Sequence, residues 1–335
     1  MGEKQIVRTS KDGSPTFALL RGEDSLSHPL GNLGLRDIDM KVYPTFGCGH
    51  DCKFCMTDIR YKPNEANTIT YLKRFKKSLN RYYRFGGRKV LITGGEPTKA
   101  MERILGMLEE AQRYELDLIV LYTNGSRLLE TYEYRGKTKK IVEHLYDAGL
   151  RHINISVHHY DPKKRQRLLN SDEGVCDIVE VAREVNKRDE MCIRLNCTLM
   201  RDYIGDVRGV IDYIGFAKRI GVTDVYFRDL FHLENRALSI RFAEMGKVEF
   251  TDNQRINFDG LIRDIKRVPN MQFVKTMSRH VGQGKTILFN YNGVQVWFGT
   301  LEIGTENANR FTYFAFMPDG NIYYNMNGPE FQVKS

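Results

Sequence analysis

Short β-rich runs alternate with amphipathic helical patterns between about residues 38 and 230, and this alternation restricts the fold more than any other feature. Strands that alternate with helices form a parallel sheet with the helices packed outside it. Six such units are fewer than the eight of a complete barrel. We therefore expect an α/β fold, built as an open, partial (β/α)6 TIM-like barrel. The predicted strands are 40–45, 89–93, 118–123, 152–158, 192–199 and 224–229.

Three parts of the chain differ in their patterns. Residues 1–37 are rich in Gly and Ser and weakly periodic, which predicts an irregular N-terminal lead-in. Residues 38–234 hold the predicted barrel. Residues 235–335 form a C-terminal extension that we expect to contain strands and to close the barrel on the substrate side.

The end of this extension is rich in aromatic residues, which we expect to form core rather than a cofactor site. Its runs 293–303 and 311–324 are predicted to be antiparallel strands. The sequence Pro318-Asp319-Gly320 is typical of a turn within the second run.

Charge and hydropathy limit the possible partners. The 335 residues include 51 Lys and Arg against 42 Asp and Glu, a formal net charge of +9, which favours an anionic partner. No apolar run approaches the roughly 20 residues that a membrane span needs. The N-terminal sequence lacks the apolar core of a signal peptide. We therefore expect a cytoplasmic protein with no membrane partner.

Three of the six cysteines lie close together, directly after the first predicted strand, as Cys48-x3-Cys52-x2-Cys55. In a chain without an export signal, such cysteines are thiols or metal ligands rather than disulfides. Three thiolates on one loop can hold three irons of a [4Fe–4S] cluster, which leaves the fourth iron open to another ligand. Structural zinc is the alternative, although it needs a fourth ligand and the loop adds only His50.

This cysteine run resembles the cluster motif of the radical S-adenosylmethionine (SAM) enzymes. The sequences Gly94-Gly95-Glu96-Pro97 and Thr123-Asn124-Gly125 resemble further motifs of that superfamily, and each follows or ends a predicted strand. The barrel half is most similar to the molybdopterin-precursor cyclases. Those enzymes carry C-terminal cysteines for a second cluster, whereas no cysteine follows Cys197 here, so their activity is not expected.

The resemblance implies one [4Fe–4S] cluster and SAM as cofactors. In this superfamily the cluster gives one electron to SAM, and the resulting 5′-deoxyadenosyl radical abstracts hydrogen from a substrate. The implied iron ligands are Cys48, Cys52 and Cys55. The implied SAM-binding residues are Phe54, Gly94, Gly95, Glu96, Asn124, Ser156, His158 and Leu230.

Predicted substrate contacts are Lys41, Tyr43, Thr123, Arg194, Asn196 and Arg228. For Arg194 the alternative is an ion pair with a structural carboxylate, because charged residues are rarely buried unpaired. Cys192 shares the predicted face of Arg194, so it is a candidate catalytic hydrogen donor. Simple packing is the alternative for this cysteine.

The expected function is hydrogen abstraction from a small anionic metabolite, such as a nucleotide, sugar phosphate or sugar acid. The expected reductant is of the flavodoxin or ferredoxin type, and nucleic acid is not an expected partner. The basic, aromatic stretch 71–89 is interpreted as the solvated face of the first barrel helix, with docking of an acidic reductant or of RNA as alternatives. Two other functions remain open at this point: radical SAM modification of a peptide or RNA, and a non-catalytic iron–sulfur or zinc protein.

Overall fold

The structure is a computed structural model that describes residues 38–55, 62–171, 174–230, 245–278, 285–300, 313–323 and 332–333. The predicted lead-in, residues 1–37, lies outside the described residues. The chain forms two compact units. The first takes in Met1–Phe46, Arg60–Ile119 and Phe311–Ser335, and the second takes in Gly47–Ile59 and Val120–Arg310. The predicted division into lead-in, barrel and extension stays a prediction.

The described elements alternate strand and helix through most of the chain. The helices are α1 Thr68–Arg84, α2 Met101–Ala111, α3 Ile141–Asp147, α4 Pro162–Leu169, α5 Ile178–Asn186, α6 Val207–Arg219, α7 Met245–Asn253 and α8 Phe258–Ile265, and a 3₁₀ turn spans Pro97–Ala100. The strands are β1 Asp39–Val42, β2 Lys89–Ile92, β3 Leu118–Thr123, β4 Thr131–Tyr134, β5 Lys137–Lys140, β6 His152–Ser156, β7 Cys192–Thr198, β8 Asp224–Arg228, β9 Met271–Ser278, β10 Lys285–Tyr291, β11 Val294–Gly299, β12 Tyr313–Phe316 and β13 Ile322–Tyr323.

In the first unit, β1 lies between β2 and β12 and runs parallel to both. Helix α1 buries Tyr71, Phe75, Leu79 and Tyr82, while its lysines and arginines occupy the opposite, exposed side. The rings of Tyr71, Phe75 and Tyr82 are therefore core, whereas Phe85, just after the helix, is 39% exposed. This agrees with the interpretation of 71–89 as the solvated face of the first helix.

In the second unit, β3, β6, β7 and β8 pair in that order, all parallel. Burial alternates along β7 and β8, so that every second side chain faces the helices and is buried. The other face of β7 carries Arg194, Asn196 and Thr198. Cys197 is fully buried on the helix side.

The C-terminal strands pair differently from the prediction. The hairpin β12–β13 is antiparallel and turns through residues 317–320, as expected. However, β11 runs parallel to β8 and antiparallel to β10, and β12 runs parallel to β1. The predicted antiparallel character of β11 thus comes from β10, a strand that the sequence analysis did not identify.

A second difference lies after β3. The apolar spacing of Ile141, Val142, Leu145 and Ala148 predicts one helix over 139–148, but Lys139 and Lys140 belong to β5 of the hairpin β4–β5, and α3 begins at Ile141. No helix among the described residues combines the length and apolarity that a membrane span requires.

Candidate active site

The cysteine loop follows β1 in sequence and is fastened to the end of α4. The backbone N–H of Asp51 donates to the carbonyl of Leu169 at 3.1 Å, and the N–H of Lys53 donates to Leu168 at 3.2 Å. Asn170, which ends α4 in the left-handed conformation with φ 43°, donates from Nδ2 to the carboxylate of Asp51 at 3.3 Å. These bonds hold the middle of the loop against a regular element.

The three thiols of the loop lie close enough to influence one another. Burial raises the pKa of the Cys52 thiol far above its ordinary value, Cys55 and Cys48 raise it further, and the charge of Lys247 opposes the shift. Cys48 is exposed, whereas Cys52 and Cys55 are half-buried. A cationic centre shared by the three sulfurs would relieve the mutual repulsion of their thiolates.

A cluster and a single metal ion need different arrangements of donors. Among the described residues, no three Cys, His, Asp or Glu side chains converge closely enough to hold one metal ion. A mononuclear zinc site needs its sulfurs within about 2.3 Å of one point. In an iron–sulfur cluster each thiolate binds its own iron, so the sulfurs need not converge. The three thiolates of the loop match the donor set of a cluster with one open iron, whereas a structural zinc site takes four ligands.

Phe54 turns from the loop towards the carboxyl end of β6. Its ring meets that of His158 edge to face, with centroids 4.7 Å apart. It also packs on a buried cluster of Leu168, Met200 and Leu230. Three residues predicted from different parts of the chain, Phe54, His158 and Leu230, are thus brought together beside the cysteine loop.

His158 is neutral in this environment. Burial lowers its pKa to about 3, and the nearby charges of Arg228 and Arg165 act in the same direction. Its Nδ1 accepts a hydrogen bond of 3.1 Å from the backbone N–H of Thr198. In the neutral ring the proton is therefore on Nε2, which becomes a hydrogen-bond donor.

Three further predicted residues lie on β6, β7 and β8 near their carboxyl ends. Ser156 is the register partner of Asn196 on the neighbouring strand. Arg228 ends β8, stacks near the ring of Tyr226 at 5.6 Å and acts electrostatically on His158. Within the described segments, no carboxylate forms an ion pair with the Arg228 guanidinium.

Arg194 lies nearer the start of β7 and is paired. Its Nε and Nη2 donate to the two carboxylate oxygens of Asp224 at 2.9 and 2.8 Å, and its guanidinium lies 5.2 Å from the Trp297 ring. The structure contains the carboxylate pair that the sequence analysis gave as the alternative. Substrate binding by Arg194 stays a prediction.

Cys192 begins β7, and its Sγ lies 2.9 Å from Nδ1 of His152. Burial raises the pKa of this thiol and lowers that of His152, so both groups are neutral. Six residue steps separate Cys192 from Thr198, about 20 Å along an extended strand. The structure does not bring Cys192 together with Phe54 and His158.

The glycine pair of the first unit is shaped by its contact with the end of β1. A Cβ at Gly94, where φ is +145°, would lie 2.5 Å from the carbonyl oxygen of Thr45. Gly95 donates its N–H to the same oxygen at 3.1 Å. Glu96 is almost fully buried, and its Oε1 accepts from the backbone and hydroxyl of Thr98, which caps the 3₁₀ turn.

The remaining predicted contacts have defined places. Lys41 lies on β1 with Nζ 3.6 Å from the centre of the Tyr313 ring, and Tyr43 is buried in an apolar cluster. Thr123 ends β3, and its hydroxyl accepts from the N–H of Gly125 at 3.0 Å. Asn124 Oδ1 accepts from the N–H and hydroxyl of the serine two residues later, a turn that fixes the backbone after β3.

Comparison with known proteins decides the family. Residues 42–214, just over half of the chain, match the family model of the radical SAM superfamily. The chain belongs to the radical SAM superfamily.

The relatives of this radical SAM chain include nucleotide cyclases. A GTP 3',8-cyclase of Aquifex aeolicus is 27% identical over 206 residues, which cover 60% of this chain and 57% of the relative. A probable GTP 3',8-cyclase of Thermococcus kodakarensis is 30% identical over 199 residues, which cover 59% of this chain and 56% of the relative. The chain spans about half the length of the curated relatives it matches.

Among solved structures, SuiB of Streptococcus suis bound to precursor peptide SuiA is similar, with a TM-score of 0.53 and 15% identity over 91% of this chain and 66% of that one. This likeness concerns the fold. Together with the family match, it gives the chain the partial TIM-like α/β fold that the strand–helix alternation predicted.

Two sets of contacts, one in each unit, were missed from the sequence. Lys247 of α7 reaches the cysteine loop, with Nζ 2.6 Å from Oδ1 of Asp51. In the first unit, the buried Arg103 donates to the carbonyls of Pro44 and Ala66 and holds the segment that leads out of β1. The charge of Asp51 within the cysteine run was a local signal, whereas nothing local marks its partner 196 residues away.

Proposed function

We propose that this protein is a radical SAM enzyme that cleaves SAM reductively and removes a hydrogen atom from a small anionic metabolite, most suitably a nucleotide. The observation that carries the proposal is the cysteine loop, held on α4 with Phe54 against His158 at the carboxyl end of β6. Active sites of barrels lie at that end of the strands. The names of the cyclase relatives support a nucleotide as the substrate class.

The proposed cluster ligands are Cys48, Cys52 and Cys55. When bound, the cluster and SAM supply the electron transfer and the radical, while the protein positions them and excludes side reactions. Phe54 and Leu230 offer an apolar surface for the adenine, and Nε2–H of His158 offers a donor to the ribose. From their motifs, Gly94, Gly95 and Glu96 are proposed to receive the methionine part of SAM, and Asn124 and Ser156 are proposed as further SAM contacts.

Arg228 is the proposed anchor for the anionic substrate. It lies close enough to lower the pKa of His158, and its guanidinium forms no ion pair with a carboxylate in the described residues. A guanidinium matches phosphate and carboxylate geometry with two parallel hydrogen bonds. Lys41, Tyr43, Thr123, Arg194 and Asn196 remain proposed secondary contacts. The electron is proposed to come from a flavodoxin- or ferredoxin-type reductant.

The test compares nucleotide with nucleoside binding by isothermal titration calorimetry. Replacing Arg228 by Met removes a charged donor and should weaken nucleotide binding about 10- to 100-fold, the equivalent of about 1.5–3 kcal/mol. Nucleoside binding should not change. Arg208→Met, on the exposed side of α6 where the Arg208 side chain is 92% exposed, is the matched control and should leave both affinities unchanged.

Equal losses for nucleotide and nucleoside would contradict an anion-binding role for Arg228. A wild-type protein that binds a peptide or RNA but no nucleotide or other small anion would favour the macromolecular alternative. A protein that holds a cluster and forms no 5′-deoxyadenosine with SAM and reductant would be a non-catalytic iron–sulfur protein.

A further inference from the structure

A charged pair joins the cysteine loop to a helix far away in the sequence. Nζ of Lys247 lies 2.6 Å from Oδ1 of Asp51, the residue just before Cys52. The Lys247 side chain is only 9% exposed, whereas that of Asp51 is 59% exposed. A buried ammonium is costly without a partner, so the pair constrains both elements.

The helix that carries Lys247 is itself firmly placed. Phe250, one turn later, packs on the apolar cluster that also receives Phe54. Beyond the helix end, Gln254 exchanges hydrogen bonds with Asp202, and its carbonyl accepts from the N–H of Arg201. Lys247 therefore lies on a helix that other contacts hold in place. A residue on such an element can position the residues of a neighbouring site.

Asp51 contacts both of the helices that hold the cysteine loop, α4 and α7. One carboxylate oxygen accepts from Lys247 and the other from Asn170 at the end of α4. Its backbone N–H is bonded to Leu169. Lys247 thus acts on the loop through Asp51, the residue directly before Cys52.

We propose that Lys247 is a positioning residue for the cluster, which holds the ligand loop through Asp51 and places a fixed cation beside Cys52 that favours the reduced cluster. This inference rests on the proposed function, because it assumes that the loop holds a cluster. In the step concerned, one electron passes from the reductant to the oxidised cluster, and no proton or covalent bond changes place. A nearby positive charge stabilises the form with the extra electron.

Because Lys247 and Asp51 carry opposite charges, their replacement should shift the midpoint potential of the cluster in opposite directions. The variants Lys247→Met and Asp51→Asn are reconstituted anaerobically with iron and sulfide, and the midpoint potential is measured by dithionite titration with electron paramagnetic resonance detection. Lys247→Met should shift the potential in the negative direction and Asp51→Asn in the positive direction. Lys247→Arg and the double variant should lie near the wild type, and so should Lys163→Met, an exposed charge removed at the start of α4.

A purely mechanical role for the pair would shift both single variants in the same direction or leave both unchanged, and either result would overturn the proposal. If Lys247→Met takes up no cluster, amide hydrogen exchange of its apo form decides. The proposal then expects at least about tenfold faster exchange over residues 48–55 than in the wild type, with uptake restored in Lys247→Arg. Unchanged exchange would overturn it. Failure of the proposed function is separate: it would show as a loaded wild-type protein that forms no 5′-deoxyadenosine.

Discussion

Replacement of Gly94 by Ala tests how the glycine pair is built. At this position the new Cβ would lie 2.5 Å from the Thr45 carbonyl oxygen, at least about 0.5 Å closer than side chains tolerate, and φ is +145°. The strained backbone costs about 1–3 kcal/mol. Overpacking against a main-chain atom adds about 1–3 kcal/mol. The free energy of unfolding should therefore fall by about 2–6 kcal/mol.

Gly136 offers a matched control in the hairpin β4–β5. Its φ is +73°, but a Cβ there meets nothing within 4 Å, so Gly136→Ala should cost only the backbone strain of about 1–3 kcal/mol. Urea denaturation of the two apo variants, followed by circular dichroism, measures the difference. Equilibrium dialysis with SAM should show at least about tenfold weaker binding for Gly94→Ala and no change for Gly136→Ala. Equal losses of stability would refute the role assigned to the Thr45 contact.

Three further predictions concern single residues of the second unit. Burial raises the pKa of Asp229 from 3.8 to about 6, so the protein loses stability as pH rises between these values. Asp229→Asn should be about 1–2 kcal/mol more stable than the wild type near pH 7 and equal to it near pH 4. Denaturation at both pH values measures the difference. Burial lowers the pKa of His158 from 6.5 to about 3, so the protein loses stability as pH falls below about 6.5. His158→Gln should reduce this loss. An unchanged pH profile of the free energy of unfolding would count against a neutral, buried imidazole. Cys192→Ala should leave product formation within about twofold of the wild type, because Cys192 lies about 20 Å along the strand from Thr198. A loss of product formation with intact SAM cleavage would instead support Cys192 as a hydrogen donor.

The core of the fold was predictable because local patterns and tertiary structure agree there. The six predicted strands correspond to β1, β2, β3, β6, β7 and β8, each within a few residues. The hairpin β4–β5 was missed because its polar, basic sequence has no apolar period. The pairing of β11 with β8 depends on contacts between distant segments, which periodicity does not encode.

Part of the candidate site was also predictable from local motifs, and part was not. The cysteine loop, Phe54 and His158 were found because their motifs are short and local, and the structure brings them together. Arg194 and Arg228 lie on the same face of the sheet, and the sequence alone could not show that Arg194 pairs with Asp224. The ion pair between Asp51 and Lys247 bridges 196 residues and emerges only from the folded chain.

The central claim is that the loop of Cys48, Cys52 and Cys55 holds a cluster that cleaves SAM. The most direct measurement is 5′-deoxyadenosine formed after anaerobic reconstitution, reduction with dithionite and addition of SAM, compared with a Cys52→Ala variant. We expect the wild-type protein to form 5′-deoxyadenosine and methionine in equal amounts, and the variant to form neither. A wild-type protein fully loaded with iron and sulfide that forms no 5′-deoxyadenosine would contradict the account.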